Sequence, residues 1–240
     1  MTGGEIPRYD AESVRALFDE MAATYGPVNV ISSFGFAVRW RHQAVSGMNL
    51  RSAESVVDLM SGMGELWRSL ARVVPGSSRV LAIDISRGMA ERARRSQPFV
   101  LEVRVGDALT MELPAASADA VVSSFGVKTF DRDQQRLLAR KVAHLLRPGG
   151  EYSFIEISVP PFPPLRMLYM FYLKQVIPLI GRLMLGNPDN YRMLGIYTEA
   201  FGDVGHFRAC LADAGLEAVQ VSYFFGCASG VRGRKPAGGV

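Results

Sequence analysis

Apolar residues follow two different periods along this chain. Short β-branched or aliphatic runs end in an acid at Val56-Val57-Asp58 and at Val80-Leu81-Ala82-Ile83-Asp84, and a third acid follows at Val105-Gly106-Asp107. Between the runs the spacing is helical, as in Leu66, Leu70 and Val73. This pattern predicts strands near 56–60, 79–84, 102–105, 118–124 and 151–157, with helices near 65–73, 87–95 and 133–146. Upstream, Val14, Leu17, Phe18, Met21 and Tyr25 share one helical face, which predicts a helix over 11–25 opened by Ala11-Glu12 and ended by Gly26-Pro27. A loop and a second helix follow within 31–47. Downstream come a helix over 204–214, stopped by Gly215, and strands over 217–223 and 225–231 that add an antiparallel edge. Residues 1–10 and the tail from Lys235 are expected to be loose. Strand–helix alternation with a late strand pair predicts an α/β fold: a Rossmann-like sheet of seven strands with helices on both faces.

The loop after the first strand narrows the ligand. Asp58-Leu59-Met60-Ser61-Gly62-Met63-Gly64-Glu65-Leu66 joins a strand-end acid to a Gly-x-Gly turn. A dinucleotide site needs a third glycine, where this chain has Trp67, and Glu65 would repel a pyrophosphate at the helix start. No Gly-Lys-Ser/Thr triplet exists for a P-loop. S-adenosylmethionine fits better, because it has a ribose and an adenine, no phosphate, and a cationic tail that suits Asp58 and Glu65. Asp84, followed by Ile85, would take the ribose hydroxyls, and Asp107, followed by Ala108, the adenine amine. Each acid alone reads better as an ordinary strand-end loop residue than as a ligand group. Three at successive strand ends point to a ligand, because such sheets bind there.

The sequence resembles class I methyltransferases, and closely the ubiquinone/menaquinone C-methyltransferase family, from about Val14 onward. The matching pieces are Phe18-Asp19-Glu20-Met21-Ala22-Ala23-Thr24-Tyr25, Ser33-Phe34-Gly35-Phe36-Ala37-Val38-Arg39-Trp40-Arg41 and the Asp58–Leu66 loop. They continue through Ser124-Phe125-Gly126-Val127-Lys128, Leu146-Arg147-Pro148-Gly149-Gly150 and Val176-Ile177-Pro178-Leu179-Ile180-Gly181, with Tyr191 ten residues on. The resemblance implies a class I methyltransferase sheet and places Met63, Asp84, Asp107, Ala108 and Ser124 on cofactor-contact positions. With Asp58, Gly62, Gly64 and Ile85 they make up the expected cofactor set. It also implies that residues 1–50 form a helical cap over a domain spanning 51–240. Two departures bear on the acceptor. The family carries Arg and Asn where this chain has Lys128 and Thr129, and Asp after the tyrosine where it has Gly26-Pro27.

One stretch breaks the α/β rhythm. After Pro160-Pro161-Phe162-Pro163-Pro164, the segment to Leu185 is almost wholly apolar but is interrupted by Arg166, Lys174 and Arg182. It is too broken for a membrane span, and Pro178 would kink a helix there. It reads as an insertion within about 160–200. Its roles could be a buried or dimer-forming helix, a lid over an apolar substrate, or a shallow contact with a membrane surface. A homodimer is the expected assembly.

Lys128, after the fourth strand, is the candidate to activate a phenolic acceptor as base or cation, with a solvated loop lysine as the plain reading. Tyr25 would orient substrate or cover the cofactor, or simply fill core. Arg39 and Arg41 could steer an acidic substrate or lie on a solvated helix face, and His42 reads as a surface residue. Competing functions are methylation of oxygen or nitrogen in a specialised metabolite and a cofactor-binding scaffold without turnover. A net charge of +4 permits an anionic surface or substrate, but no basic run is interleaved with aromatics, so nucleic acid is not an expected partner. Cys210, Cys227, His42, His144 and His206 show no metal-ligand spacing. The first ten residues have no apolar run of the secretory kind, so a cytoplasmic location is expected.

Overall fold

A computed structural model describes residues 6–95 and 100–238. Its centre is a seven-stranded sheet in the order β3-β2-β1-β4-β5-β7-β6. The strands are β1 (Ser55–Leu59), β2 (Arg79–Asp84), β3 (Val100–Val105), β4 (Ala118–Ser124), β5 (Leu146–Ile157), β6 (Val219–Tyr223) and β7 (Ala228–Arg234). The first five run parallel, and β7 closes antiparallel on both β5 and β6. The chain leaves β1 toward β2 and β3, then returns to place β4 on the other flank of β1. That reversal opens a crevice beyond the carboxyl ends of β1 and β4, where sheets of this kind take ligands.

Helices cover both faces because the parallel strands are apolar on both. On one face α6 (Arg132–Leu145) and α10 (Gly205–Asp213) pack Leu138, Val142, Phe207 and Leu211 against Val57, Val121 and Phe154. On the other, Val45, Leu66 and Leu70 meet Val56, Val80 and Val122. A separate cluster gathers Met21 and Val28 from the first two helices with Met89, Ile177, Ile180 and Tyr191. The insertion packs on the N-terminal helices here, and through Leu165 and Tyr169 it also meets Ile155 of β5 and Ala228 of β7.

Several boundaries differ from expectation. The first helix splits into α1 (Ala11–Met21) and α2 (Tyr25–Ser32), before α3 (Phe36–Ser46). Gly26-Pro27 lies in the first turn of α2 and stops nothing, because a proline lacks only an N–H that the first turn leaves free. The helix expected over 65–73 shrinks to α4 (Trp67–Leu70) within tight turns. Gly64 has φ +81°, and a Cβ there would lie 2.3 Å from the Trp67 ring, so the loop folds down onto the indole. Beyond α5 (Arg87–Ala93), the insertion is α7 (Pro163–Phe171), a π turn (Tyr172–Val176), α8 (Ile177–Leu183) and α9 (Pro188–Phe201). Pro178 follows the π turn at the start of α8, where its missing N–H and bulky ring are accommodated.

The expectation of loose ends is corrected over residues 8–10 and at Lys235. The Tyr9 carbonyl accepts from Gln134, Asp10 caps α1 through Ser13 N at 2.8 Å, and Lys235 donates to the Ala143 and Leu146 carbonyls. Residues 6–7 and 236–238 carry no regular structure, and residues 1–5 and 239–240 lie outside the described residues.

Candidate active site

The crevice is built from strand ends that carry positive φ. Met60 (φ +53°) and Gly62 (φ +58°) follow β1, and Phe125 (φ +64°) follows β4. Left-handed backbone at non-glycine residues is costly and marks places where the fold holds a functional shape. A Cβ on Gly126 would meet the Met60 Cβ at 2.6 Å, so the two strand ends close on each other only because that position has no side chain.

Asp84 anchors the cleft. Its carboxylate accepts from Gly62 N at 2.7 Å and from Ser86 N at 2.9 Å, which fixes it against the glycine loop. Burial nonetheless pushes its acid up to about 6. Asp107 accepts from Leu109 N at 2.9 Å. Asp84, Ile85, Asp107, Ala108, Ser124 and Gly62 all line one cleft, roofed by Val14 and Phe18 of α1. Asp19 ties that roof down by accepting from Ser86 Oγ at 2.6 Å and Gly88 N at 3.0 Å. Only about 70 Å³ is free beneath α1, against the ~300 Å³ or more of small-molecule sites.

Three of the sequence candidates lie off this lining. Asp58 is buried below the loop, where it accepts from Trp67 Nε1 at 2.8 Å, and burial pushes it up to about 8. Its contact is with the indole, which locks the loop. Met63 N donates to Glu65 Oε2 at 3.0 Å while its side chain packs with the cap cluster, and Gly64 sits against Trp67.

A second cavity of about 540 Å³ opens beside the cleft. Tyr25 and Phe125 line both, so they form the shared wall. Its other walls are apolar and aromatic, including Trp40, Leu165, Tyr169, Tyr172 and Leu173. Burial raises the Tyr25 hydroxyl well above the ordinary phenol range, and Glu65 adds to it, so it stays protonated. Lys128 also lines this cavity and is 4 % exposed, which rules out the solvated-loop reading. Its Nζ donates to Glu156 Oε1 at 2.7 Å and to the Phe125 carbonyl at 2.9 Å. Glu156 Oε2 accepts from Lys128 N at 3.0 Å, and Oε1 also from Ile157 N at 2.8 Å.

Glu156 was not singled out from the sequence. Its signal was there as an acid amid Phe154, Ile155 and Ile157 in an otherwise apolar strand. Arg41 was read as steering or solvated, yet it is 3 % exposed and lines the cleft, while Arg39 stays on the surface. Among the described residues no three His, Cys, Asp or Glu side chains gather as metal ligands, and no helix is long and apolar enough to cross a membrane.

The chemistry of the cleft matches an adenosyl ligand with a charged tail. Asp84 at the second strand end and Asp107 at the third both line the cleft. Ser61 Oγ and Glu65 Oε1 are buried, line the cleft and have no protein partner, which leaves polar atoms for a ligand to satisfy. This fold and cleft define a class I methyltransferase that uses S-adenosylmethionine.

The model of the ubiE/COQ5 methyltransferase family matches residues 7–235, and the chain belongs to that family. The demethylmenaquinone methyltransferase of Thermus thermophilus is 33% identical over 223 residues, covering 92% of this chain and 100% of that one. A ubiquinone/menaquinone biosynthesis C-methyltransferase UbiE from Enterobacter sp. is 29% identical over 226 residues, covering 92% and 88%. In fold, the chain superposes on a Thermotoga maritima S-adenosylmethionine-dependent methyltransferase with a TM-score of 0.64 at 17% identity, covering 92% and 99%. Human N-acetylserotonin methyltransferase in complex with S-adenosylmethionine gives 0.61 at 17%, covering 96% and 63%.

Proposed function

We propose that this enzyme methylates a ring carbon of an apolar hydroxylated aromatic, with a prenylated quinol as the first candidate. The observation that carries this reading is the apolar 540 Å³ cavity whose wall holds a buried cation, Lys128, and which shares Tyr25 and Phe125 with the cofactor cleft. The names of the Thermus and Enterobacter relatives support a quinone-type acceptor.

When bound, S-adenosylmethionine supplies an electrophilic methyl group on a sulfonium. The chain's own residues prepare the acceptor. A ring carbon becomes nucleophilic when the neighbouring hydroxyl takes on phenolate character. Lys128 has three N–H donors, of which Glu156 and the Phe125 carbonyl take two. The third is free for the acceptor oxygen. Paired with Glu156, Lys128 acts as a fixed cation that favours the phenolate; the hydroxyl proton is released to solvent as the acceptor binds, and the ring-carbon proton lost on rearomatisation after methyl transfer follows it. Tyr25, kept protonated, orients the ring at the shared wall, and the aromatic lining excludes water.

Exposed apolar side chains crowd the cavity mouth: Phe34 (80 % exposed), Leu168 (65 %) and Phe171 (59 %). A rim of this kind suits a peripheral contact with a lipid surface, from which a water-insoluble acceptor would enter. The Lys128-Thr129 departure favours one alternative, methylation of a specialised phenol on oxygen.

A methyl-release assay on demethylated prenyl quinols and simple phenols, with products assigned by NMR, tests the reading. A new C–CH₃ on a prenyl quinol, lost in Lys128→Met while cofactor binding persists, is the expected result. O–CH₃ products alone, or cofactor binding with no quinol turnover, overturn it.

A further inference from the structure

Arg41 lies on α3, outside the sheet, yet its side chain is almost wholly buried in the cofactor cleft. Its Nε donates to Ser124 Oγ at 3.1 Å, and its guanidinium carbon stands 4.7 Å from the centroid of the Phe125 ring. It forms no ion pair among the described residues, and its terminal nitrogens have no protein acceptor there. A buried guanidinium without a counter-ion is costly, and Arg presents a planar fork suited to a carboxylate.

The opposite charge stands in the same cleft. Glu65 keeps Oε1 buried and unpartnered, while its Oε2 is held by Met63 N. Arg41 and Glu65 do not pair with each other. One is pinned to the end of β4 and the other to the glycine loop after β1. Both line the same cleft, as does Tyr25. A buried guanidinium and a half-buried carboxylate with one buried, unpartnered oxygen, held apart in one cleft, are complementary to a zwitterion.

We propose that Arg41 binds the α-carboxylate of the amino-acid tail of S-adenosylmethionine, with Glu65 taking its α-ammonium. The inference rests on the cofactor reading of the cleft. It makes Arg41 a specificity residue that separates the whole cofactor from nucleosides and from tails lacking the carboxylate. Ser124 serves as its positioning residue by holding Nε so that the fork faces the cleft.

Calorimetric titration of the parent chain and of Arg41→Met with S-adenosylmethionine and with its decarboxylated analogue tests this. The analogue keeps the sulfonium and the ammonium and lacks only the carboxylate. The parent should bind the whole cofactor roughly 10- to 100-fold more tightly than the analogue. Arg41→Met should lose that preference, with its affinity for the analogue unchanged or tighter because a like charge has gone. Equal loss for both ligands would overturn the proposal and leave Arg41 a packing residue. If Arg41→Met does not fold, Arg41→Lys replaces it. A drop of several-fold for the cofactor alone then supports the carboxylate contact, and an equal drop for both overturns it. A parent chain that binds neither ligand overturns the cleft assignment itself, and Arg41 with it.

Discussion

The buried pair of Lys128 and Glu156 makes a prediction that separates stability from turnover. The two side chains are 5 % and 0 % exposed, and their charged atoms stand 2.7 Å apart. Removing either partner strands the other as a buried charge, which costs about 3–5 kcal/mol. For a chain of this size that lowers Tm by about 6–20 °C. Lys128→Met and Glu156→Gln should each show this loss in urea or thermal unfolding. Removing both charges leaves one backbone N–H, of Lys128 or Ile157, without its Glu156 acceptor and the Phe125 carbonyl without its Lys128 donor. The double variant should therefore lose only about 1–3 kcal/mol, far less than the sum of the singles. It should also bind cofactor normally and lack turnover, because the cation has left a folded site. A double variant as unstable as the sum would refute the coupling. A stable double variant with full turnover would refute the role of Lys128.

Three further outcomes follow from the cleft. On the reading that Asp84 accepts the ribose hydroxyls it must be ionised, and burial pushes its acid up to about 6, so cofactor affinity should hold above pH 7 and fall toward tenfold per unit well below about 6; Asp84→Asn, read by calorimetry, should flatten that profile and lose about 1–3 kcal/mol of binding at pH 8. Asp58 has its folded value raised to about 8 from the ordinary carboxylate range, so the folded chain holds the extra proton and this group lowers stability as pH climbs from about 4 to about 8; Asp58→Asn should make urea midpoints measured at pH 5 and pH 8 converge. Asp19→Ala removes both hydrogen bonds that hold α1 over the cleft, and should speed release of S-adenosylhomocysteine about tenfold or more in stopped-flow while the enzyme still binds it.

The sheet was legible in the sequence because its strands are short apolar runs ending in acids, and that pattern survives whatever packs outside. The carboxyl-end residues Asp84, Asp107 and Ser124 came with it, since the strand ends define the crevice. Asp58 shows the limit. A strand-end acid is equally compatible with a ligand and with a neighbouring indole nine residues on, and only packing reveals that Trp67 claims it. Gly26-Pro27 reads as a helix stop by propensity, yet the same pair opens α2, because sequence alone does not say on which side of the boundary it falls. Arg41 was left between a steering and a solvated reading, and Glu156 was missed, for a related reason. Charged residues on a helix and in a strand look solvated until the elements above them are placed. Here α3 and the residues after β4 bury both.

The glycine loop, the second strand and the N-terminal cap meet at one hydroxyl. Ser86 gives its N–H to the Asp84 carboxylate at 2.9 Å, while its Oγ accepts from Met89 N at 3.1 Å and donates to Asp19 at 2.6 Å. The serine that caps α5 thus joins the carboxylate at the second strand end to the helix that roofs the cleft. Asp84 in turn holds Gly62, and with it the start of the loop that Trp67 and Asp58 lock from below. Lifting α1 breaks this chain at the Asp19 link and leaves the Asp84 side intact. The cleft can therefore open by moving its roof while the carboxylate, the glycine turn and the buried acids below keep their geometry. A ligand that meets Asp84 then finds a carboxylate already set by two backbone N–H groups.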